Sequence, residues 1–225
     1  MREVSFALLE GDTLAVVGPS GCGKTTLLSL IAGLLKPSGG TLAVAGRPVD
    51  PRRPGTALIL QDYGLLPWKS VKRNVSLGLE IRGLPVEPAV KAMTEVGILE
   101  FANRWPHQLS GGQRQRVAIA RSLALEPDLL LMDEPFSALD AMTREEMQEL
   151  LLGILQHRRT GIILVTHSIA EAVYLGKHVL VLTPGPGRVA GYFQNDFTGD
   201  RRIRGYHDMV NAIRDCLKKG VAAGD

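Results

Sequence analysis

The chain has 225 residues, of which 45% are hydrophobic and 22% are charged, as in an ordinary globular protein. A chain of this length buries enough surface to fold without disulfides or a structural metal, and its two cysteines, Cys22 and Cys216, exclude a disulfide framework. The net charge of +3 is small, and we interpret the basic run Arg201, Arg202 and Arg204 as a solvated surface turn, so no nucleic-acid partner is predicted.

Short apolar runs alternate with helical patterns along the chain, which predicts a mainly parallel α/β sheet. Half-buried strands are predicted at residues 4–8 and 41–45. Unbroken apolar runs, typical of strands covered on both faces, are found at residues 14–17, 56–60, 129–132, 162–165 and 179–182. Helices are predicted at residues 25–35, 71–82, 88–96, 111–125, 144–158, 168–175 and 205–218.

No strand is predicted between residues 67 and 125. We therefore predict a single domain, residues 1–225, in which a sheet-containing core of residues 1–66 and 126–225 carries a helical subdomain of residues 67–125. The last predicted helix has an apolar face for docking on the core, formed by Tyr206, Met209, Val210, Ile213 and Leu217.

The first residues do not resemble a secretion signal, because Glu10 and Asp12 interrupt the apolar run. The longest strongly apolar stretch, residues 27–35, is far shorter than the roughly 20 residues that cross a bilayer. We therefore expect a soluble, cytosolic chain that would need another polypeptide for any step across a membrane.

Residues 18–25 read GPSGCGKT and fit the phosphate-binding pattern GxxxxGK[ST], between a predicted strand and a predicted helix. Glycines let successive backbone N–H groups converge on phosphate oxygens, and the helix adds its dipole. Lys24 can reach the β- and γ-phosphates, and the Thr25 hydroxyl can bind Mg²⁺. The predicted nucleotide-binding residues are Gly18, Pro19, Ser20, Gly21, Cys22, Gly23, Lys24, Thr25 and Thr26. Cys22 is interpreted as a small filler, and a plain glycine-rich turn is the alternative to the whole motif.

Two carboxylates follow the predicted strand at residues 129–132, at the end where parallel sheets place their ligands. Asp133 is predicted to hold Mg²⁺, and Glu134 to act as the general base on the attacking water. Taken alone, such a pair can simply mark the end of a strand that meets solvent. The phosphate-binding pattern makes the catalytic interpretation the stronger one.

Two further polar residues follow strands that end at the same predicted edge. His167 can hydrogen-bond a γ-phosphate, and Gln61 can contact Mg²⁺ or the attacking water. Either residue alone would be interpreted as a solvent-facing strand terminus.

Residues 109–113 read LSGGQ and open the predicted helix at residues 111–125. Ser110 at the N-cap and the two glycines leave backbone N–H groups free, which makes a second anion site. A generic phosphate-loop enzyme does not need two such sites.

These motifs resemble those of the ATP-binding cassette (ABC) family over essentially the whole chain. Their order is that of the family: Walker A at residues 18–25, the Q-loop at Gln61, the LSGGQ signature, Walker B at 129–134, the D-loop at 137–140 and the switch His167. The resemblance implies an α/β fold with a P-loop NTPase (RecA-like) core, a small antiparallel β part and a helical subdomain inserted before the LSGGQ helix. It also implies ATP and Mg²⁺ as cofactors, with the metal on Thr25, Gln61 and Asp133.

The resemblance further implies a head-to-tail homodimer that closes on ATP and hydrolyses it with Glu134, His167 and Gln61. The signature residues of one copy contact the ATP of the other, namely Ser110, Gly111, Gly112 and Gln113. Asp140 belongs to the D-loop at the same interface. The helical subdomain passes the motion to transmembrane permease subunits on the inner face of the cell membrane, and a periplasmic or extracellular solute-binding protein delivers the cargo.

One family feature has no counterpart here. The family usually stacks adenine on an aromatic residue ahead of the first strand, whereas this sequence begins at Met1, only a few residues before that strand. No adenine-stacking residue is assigned.

Two stretches, residues 64–75 and 182–188, are similar to the ATPase subunits of prokaryotic nitrate, sulfonate and taurine importers. Trp68 lies where a membrane subunit would dock, unless it packs into its own subdomain. The alternatives are an ABC ATPase of DNA repair or translation and a non-enzymatic cassette. They are disfavoured by the short span between Gln61 and the signature, by the single cassette, and by the presence of the catalytic residues.

Overall fold

The computed structural model describes residues 1–156 and 158–222. Its strands are β1 (Thr13–Val17), β2 (Ala43–Val44), β3 (Arg47–Pro48), β4 (Thr56–Ile59), β5 (Leu129–Asp133), β6 (Gly161–Thr166), β7 (His178–Leu182) and β8 (Val189–Gln194). The described residues form a six-stranded sheet in the order β4-β5-β6-β1-β7-β8, and β2 pairs with β3 in a small antiparallel sheet. Within the large sheet, all neighbours are parallel except β7 and β8.

Every residue of β1, β5 and β6 is buried, as expected for apolar strands covered on both faces. The edge strand β4 is buried only at alternate residues. Val17 pairs with Thr166 on one side and Val181 on the other, and Asp133 pairs with Val165. The carboxyl ends of these strands therefore meet at one edge of the sheet.

The helices are α1 (Lys24–Ile31), α2 (Val71–Val75), α3 (Leu77–Ile81), α4 (Glu87–Glu95), α5 (Gly111–Leu123), α6 (Ala141–Leu155), α7 (Ile169–Leu175) and α8 (Arg204–Ala222). Single 3-10 turns lie at Leu99–Phe101 and Pro106–Gln108. Between β4 and β5 the described chain contains helices and turns only, as the sequence predicted. Within the described residues, every helix is too short or too polar to cross a bilayer.

Two apolar clusters cover the two faces of the sheet. The larger one joins one sheet face to the helices from α2 to α8 and contains the fully buried Phe136 and Met147. The smaller one packs α1, through Leu27, Leu28 and Ile31, against the other face. A helix on each side of a parallel sheet is the arrangement of an α/β fold.

The predicted strand at residues 4–8 is wrong. Val4, Phe6 and Leu8 are half-buried against the smaller cluster and the residues between them are exposed, but the segment forms no ladder with any other described part of the chain. The alternation of apolar residues indicates that one side of the segment is buried. It does not indicate whether the backbone of the segment has a hydrogen-bonding partner.

The predictions also missed β8, the antiparallel edge strand. Its sequence contains Gly191, and its burial is irregular because one edge of the strand faces solvent. The predicted helix at 71–82 is two helices that meet at Ser76, whose hydroxyl donates to Glu80 Oε1 at 2.5 Å.

Other helix bounds shifted by a few residues. The helix predicted at 25–35 ends at Ile31, shortly before Gly33 with its φ of +73°. Residue 157 of the helix predicted at 144–158 lies outside the described residues, as do residues 223–225 of the predicted core. The apolar face of α8 is confirmed, since Tyr206 and Ile213 are buried and the other three residues pack on the larger cluster.

The basic run is only partly a solvated turn. Arg201 places its guanidinium carbon 3.9 Å from the centre of the Tyr174 ring and pairs with Glu145 at 3.2 Å. The side chains of Arg202 and Arg204 are almost fully exposed. Arg201 therefore fastens the chain before α8 to α6 and α7.

Candidate nucleotide-binding and hydrolysis site

The phosphate loop connects β1 to α1 at the carboxyl edge of the sheet. Gly21 and Gly23 have φ of +77° and +107°, in the left-handed region that glycine adopts without a Cβ clash. Gly23 is the N-cap of α1 and provides no side-chain cap, so the first-turn N–H groups of α1 remain open. The loop therefore presents backbone donors and a helix N-terminus together, which suits a phosphate group.

Lys24 places a positive charge within this loop. Its Nζ donates to the carbonyl oxygens of Gly18 at 2.8 Å and Pro19 at 3.0 Å, and the residue is 7% exposed. Cys22 is buried, and its Sγ would lie 2.8 Å from a Cβ built on Gly18, so its side chain faces the protein interior. The Lys24 cation and the backbone amides of the loop are thus available to a ligand, whereas the Cys22 thiol points into the protein interior.

Thr25 and Asp133 meet below the loop. Thr25 Oγ1 donates to Asp133 Oδ1 at 3.3 Å. Burial raises the pKa of the Asp133 carboxyl, and Glu134 adds to that rise, while the Thr25 hydrogen bond and Lys24 oppose it. A desolvated carboxylate beside a hydroxyl is an oxygen donor set that a divalent cation would stabilise, so these two residues fit the implied Mg²⁺.

Glu134 turns back from the end of β5 towards the phosphate loop. Its φ is +44°, uncommon for a residue with a side chain, and its N–H donates to Val165 O at 2.9 Å. Glu134 Oε2 lies 3.0 Å from His167 Nδ1. A cleft of about 270 Å³ is lined by Ser20, Gly21, Gly23, Lys24, Thr25, Thr26 and Glu134. The structure therefore places a carboxylate, oriented by an imidazole, beside the phosphate loop.

Gln61 is at the same edge but outside this cleft. Ile59 of β4 pairs with Met132 of β5. Gln61 and Glu134 each lie two residues beyond this pair, so they are at the same edge of the sheet. The Gln61 side chain is exposed and does not line the cleft. Its predicted contact with metal or water stays a prediction.

The signature residues begin α5 and do not line the cleft of their own chain. Ser110 Oγ accepts from the Gln113 N–H at 3.3 Å, and Gln113 Oε1 accepts from the Ser110 N–H at 2.9 Å. This reciprocal cap is a structural role that the Ser110–Gln113 spacing could have revealed. A Cβ on Gly112 would lie 2.6 Å from Thr143 Cγ2, so glycine also lets α5 approach α6 closely.

Asp140 has a local role as well. It is the N-cap of α6, where Oδ1 accepts from the Thr143 N–H at 3.0 Å, and the backbone hydrogen bond from Thr143 lowers the pKa of Asp140. Its predicted contact across a dimer stays a prediction.

Sequence reasoning missed Arg121, on the last turn of α5. Its two Nη atoms donate to Tyr63 O and Gly64 O, each at 2.6 Å. Tyr63 and Gly64 have φ of +66° and +54°, so Arg121 holds the turn that follows Gln61 in the left-handed region. The two contacts span 57 and 58 residues, and no local pattern indicates them.

Sequence reasoning also missed a group of three interacting side chains next to His167, formed by Thr166, Glu171 and Arg144. Thr166 Oγ1 donates to the buried Glu171 Oε2 at 2.5 Å, and burial raises the pKa of Glu171. Arg144 lies 3.8 Å from Glu171 and donates to Leu139 O at 2.8 Å. The residue before His167 is thereby linked through side chains to the D-loop.

The chain is similar to a known family and to known proteins of that family. A model of the ABC transporter family matches residues 1–137. The chain is 47% identical over 209 residues to the taurine import ATP-binding protein TauB of Yersinia pestis, covering 91% of this chain and 82% of the relative. It is 48% identical over 212 residues to TauB of Rhizobium johnstonii, covering 90% and 81%.

Solved structures are similar over most of the chain. The protein cbiO1 of Clostridium perfringens, part of the ABC transporter complex cbiONQ, has a TM-score of 0.77 at 31% identity, covering 85% of this chain and 80% of that one. The dimeric ATP-binding cassette MJ0796, bound to ADP and Pi, has a TM-score of 0.76 at 32% identity, covering 86% and 90%. The predicted P-loop NTPase fold and ABC resemblance are thus confirmed. The chain belongs to the ABC transporter family and is one of its ATP-binding, ATP-hydrolysing cassettes.

Proposed function

We propose that this chain is the ATPase subunit of a prokaryotic importer whose cargo is a small sulfonate-like, nitrate-like or otherwise anionic solute. The observation that carries the hydrolytic part is that Glu134 lines the same cleft as the phosphate loop. The import part is supported by relatives at 47% and 48% identity that are named taurine import ATP-binding proteins. The same relatives favour import over DNA repair or translation.

In the proposed reaction, the phosphates of ATP lie on residues 18–26, with Lys24 on the β- and γ-phosphates. Glu134 accepts a proton from a water molecule while that oxygen bonds to the γ-phosphorus and the bond to the bridging oxygen of ADP breaks. His167, 3.0 Å from Glu134, orients the carboxylate and can contact the γ-phosphate. ADP and phosphate are the products.

Thr25 and Asp133 would hold Mg²⁺, and Gln61 would complete the set from the neighbouring strand. When bound, the ion neutralises charge on the phosphate oxygens. The distance of 3.3 Å between Thr25 Oγ1 and Asp133 Oδ1 and the burial of Asp133 support this assignment.

A second copy of the chain would complete each site. Ser110, Gly111, Gly112 and Gln113 lie outside the cleft of their own chain, so the Gly111 and Gly112 N–H groups at the start of α5 are available to a nucleotide held elsewhere. A head-to-tail homodimer would place them on the partner's ATP, with Asp140 near the same interface. The dimeric relative MJ0796 supports this arrangement.

The helical subdomain of residues 67–125 would contact the permease, while residues 1–66 and 126–225 form the nucleotide-binding core. Trp68 is 68% exposed, which removes the alternative that it packs into its own subdomain. An exposed tryptophan is a frequent anchor of interfaces. We propose that the chain is in the cytoplasm, on the inner face of the membrane. A solute-binding protein would act on it only indirectly, and it would have no nucleic-acid partner.

The proposal is tested by isolating the tagged chain from detergent-solubilised membranes of its host. We expect an integral-membrane protein to be recovered with the parent chain and to be lost with Trp68→Ala, while both chains bind ATP equally. Ile81→Ala, which removes a side chain of 76% exposure from the same helical subdomain, is the control for non-specific hydrophobic binding. Recovery of DNA or ribosomes in place of a membrane protein would contradict the import function.

A further inference from the structure

The turn that joins β7 to β8, residues 183–188, lies against the phosphate loop. β7 is the neighbour of β1 in the sheet, and both strands end at the same edge. The turn is closed by two hydrogen bonds, from the Thr183 N–H to Arg188 O at 2.9 Å and from the Arg188 N–H to Thr183 Oγ1 at 3.0 Å. We call residues 183–188 the β7–β8 turn.

Gly187 makes the closest approach. A Cβ atom on Gly187 would lie 2.2 Å from the carbonyl oxygen of Cys22, well inside the 3.0 Å below which such contacts essentially never occur. Gly187 itself lies outside the left-handed region, so its own backbone does not demand glycine. The proximity of the phosphate-loop backbone is therefore the reason that only glycine fits.

The first residues of the chain hold the turn from another side. The Arg2 N–H donates to Gly187 O at 2.9 Å, and a Cβ on Gly23 would lie 3.3 Å from Met1 Cε. Arg188 pairs with Glu3 at 3.0 Å, but both side chains are more than half exposed, so this pair contributes little. The backbone of Gly187 is thus fixed between the chain start and Cys22.

The peptide that joins Cys22 to Gly23 links this packing to the nucleotide. A trans peptide is planar, and its carbonyl and N–H point in opposite directions. Gly187 packs on the Cys22 carbonyl, so it also fixes the direction of the Gly23 N–H. That N–H is one of the open backbone donors at the start of α1.

We propose that Gly187, in the β7–β8 turn, is a positioning residue of the nucleotide site, which sets the orientation of the Cys22–Gly23 peptide for phosphate binding. This inference rests on the proposed role of residues 18–26. Its chemistry is that of a preformed hydrogen-bond donor, which loses no energy to reorganisation when the phosphate binds.

The test is the affinity of the purified chain for ADP, measured by isothermal titration calorimetry. Gly187→Ala should weaken ADP binding about tenfold, the usual effect of losing one hydrogen bond to a charged group. Gly185→Ala is the matched control, because its Cβ would lie an ordinary 3.4 Å from Gly21 O. The control should bind ADP within about twofold of the parent.

A second variant loosens the turn without adding bulk. Thr183→Val removes the hydroxyl that accepts a hydrogen bond from the Arg188 N–H. It should weaken ADP binding severalfold, and it should lower kcat at saturating ATP by a smaller factor than it lowers the ADP affinity. This variant decides the matter if Gly187→Ala does not fold. Parental ADP affinity in Thr183→Val and Gly187→Ala, or an equal loss in Gly185→Ala, would overturn the inference. Failure of the parent chain to bind ADP would instead contradict the phosphate site itself.

Discussion

Glu134→Gln is expected to reduce the rate of ATP hydrolysis at least ~100-fold, the usual contribution of a general base, while ATP binding is retained. Glutamine has the shape of glutamate and can occupy the same φ of +44°, but it does not accept a proton from water at neutral pH. The site therefore keeps its geometry and loses the proton acceptor. Steady-state phosphate release and ATP titration measure the two effects separately.

Glu126→Gln is the matched control for this substitution. Glu126 is also a glutamate with positive φ, +48°, but it precedes β5 at the opposite end of the strand and is exposed. It should retain the parent rate within about twofold, since surface substitutions rarely have larger effects. Hydrolysis by Glu134→Gln at the parent rate would remove Glu134 from the role of general base.

Arg121→Ala has the second largest expected effect, a loss of about 2–4 kcal/mol in the free energy of unfolding, because two carbonyl oxygens lose a charged donor. Removal from water by burial lowers the pKa of the Arg121 guanidinium, and the nearby Asp62 carboxylate opposes this. The turn of Tyr63 and Gly64 then has no partner to hold it in the left-handed region. Urea unfolding measures the loss.

Two control variants show whether the loss of stability is specific to the Arg121 hydrogen bonds. Arg204→Ala removes a side chain that is 95% exposed, and it should change the unfolding free energy by less than about 0.5 kcal/mol. Arg121→Lys should give an intermediate loss, since an ammonium lacks the planar fork that reaches two carbonyls. Equal stability of Arg121→Ala and Arg204→Ala would show that the turn after Gln61 does not depend on α5.

The sequence was most informative where a function depends on consecutive residues. The phosphate loop, Lys24 and Thr25 follow one strand, and Asp133 and Glu134 lie at the carboxyl end of another, so both groups could be predicted from local pattern. Because parallel strands end at one edge, their meeting could be predicted too, and the structure places Glu134 in the cleft of the loop.

Contacts between distant residues could not be predicted. Arg121 contacts a turn 57 and 58 residues away, and Gly187 packs on Cys22, which is distant in the sequence but lies at the same edge of the sheet. In both cases the partner is a backbone carbonyl, which every residue carries, so side-chain patterns contain no signal for it. The same limit explains residues 4–8, whose apolar alternation predicted a strand although the segment pairs with none of the described strands.

We propose that this chain hydrolyses ATP in a site that two copies complete. The most direct test is the rate of ATP hydrolysis per chain, measured with the purified protein over a wide range of protein concentration at saturating ATP and Mg²⁺. We predict that the rate per chain rises with concentration towards a plateau, because a lone chain lacks the signature residues at its own cleft. A constant, undiminished rate per chain down to the lowest concentration would contradict the shared site.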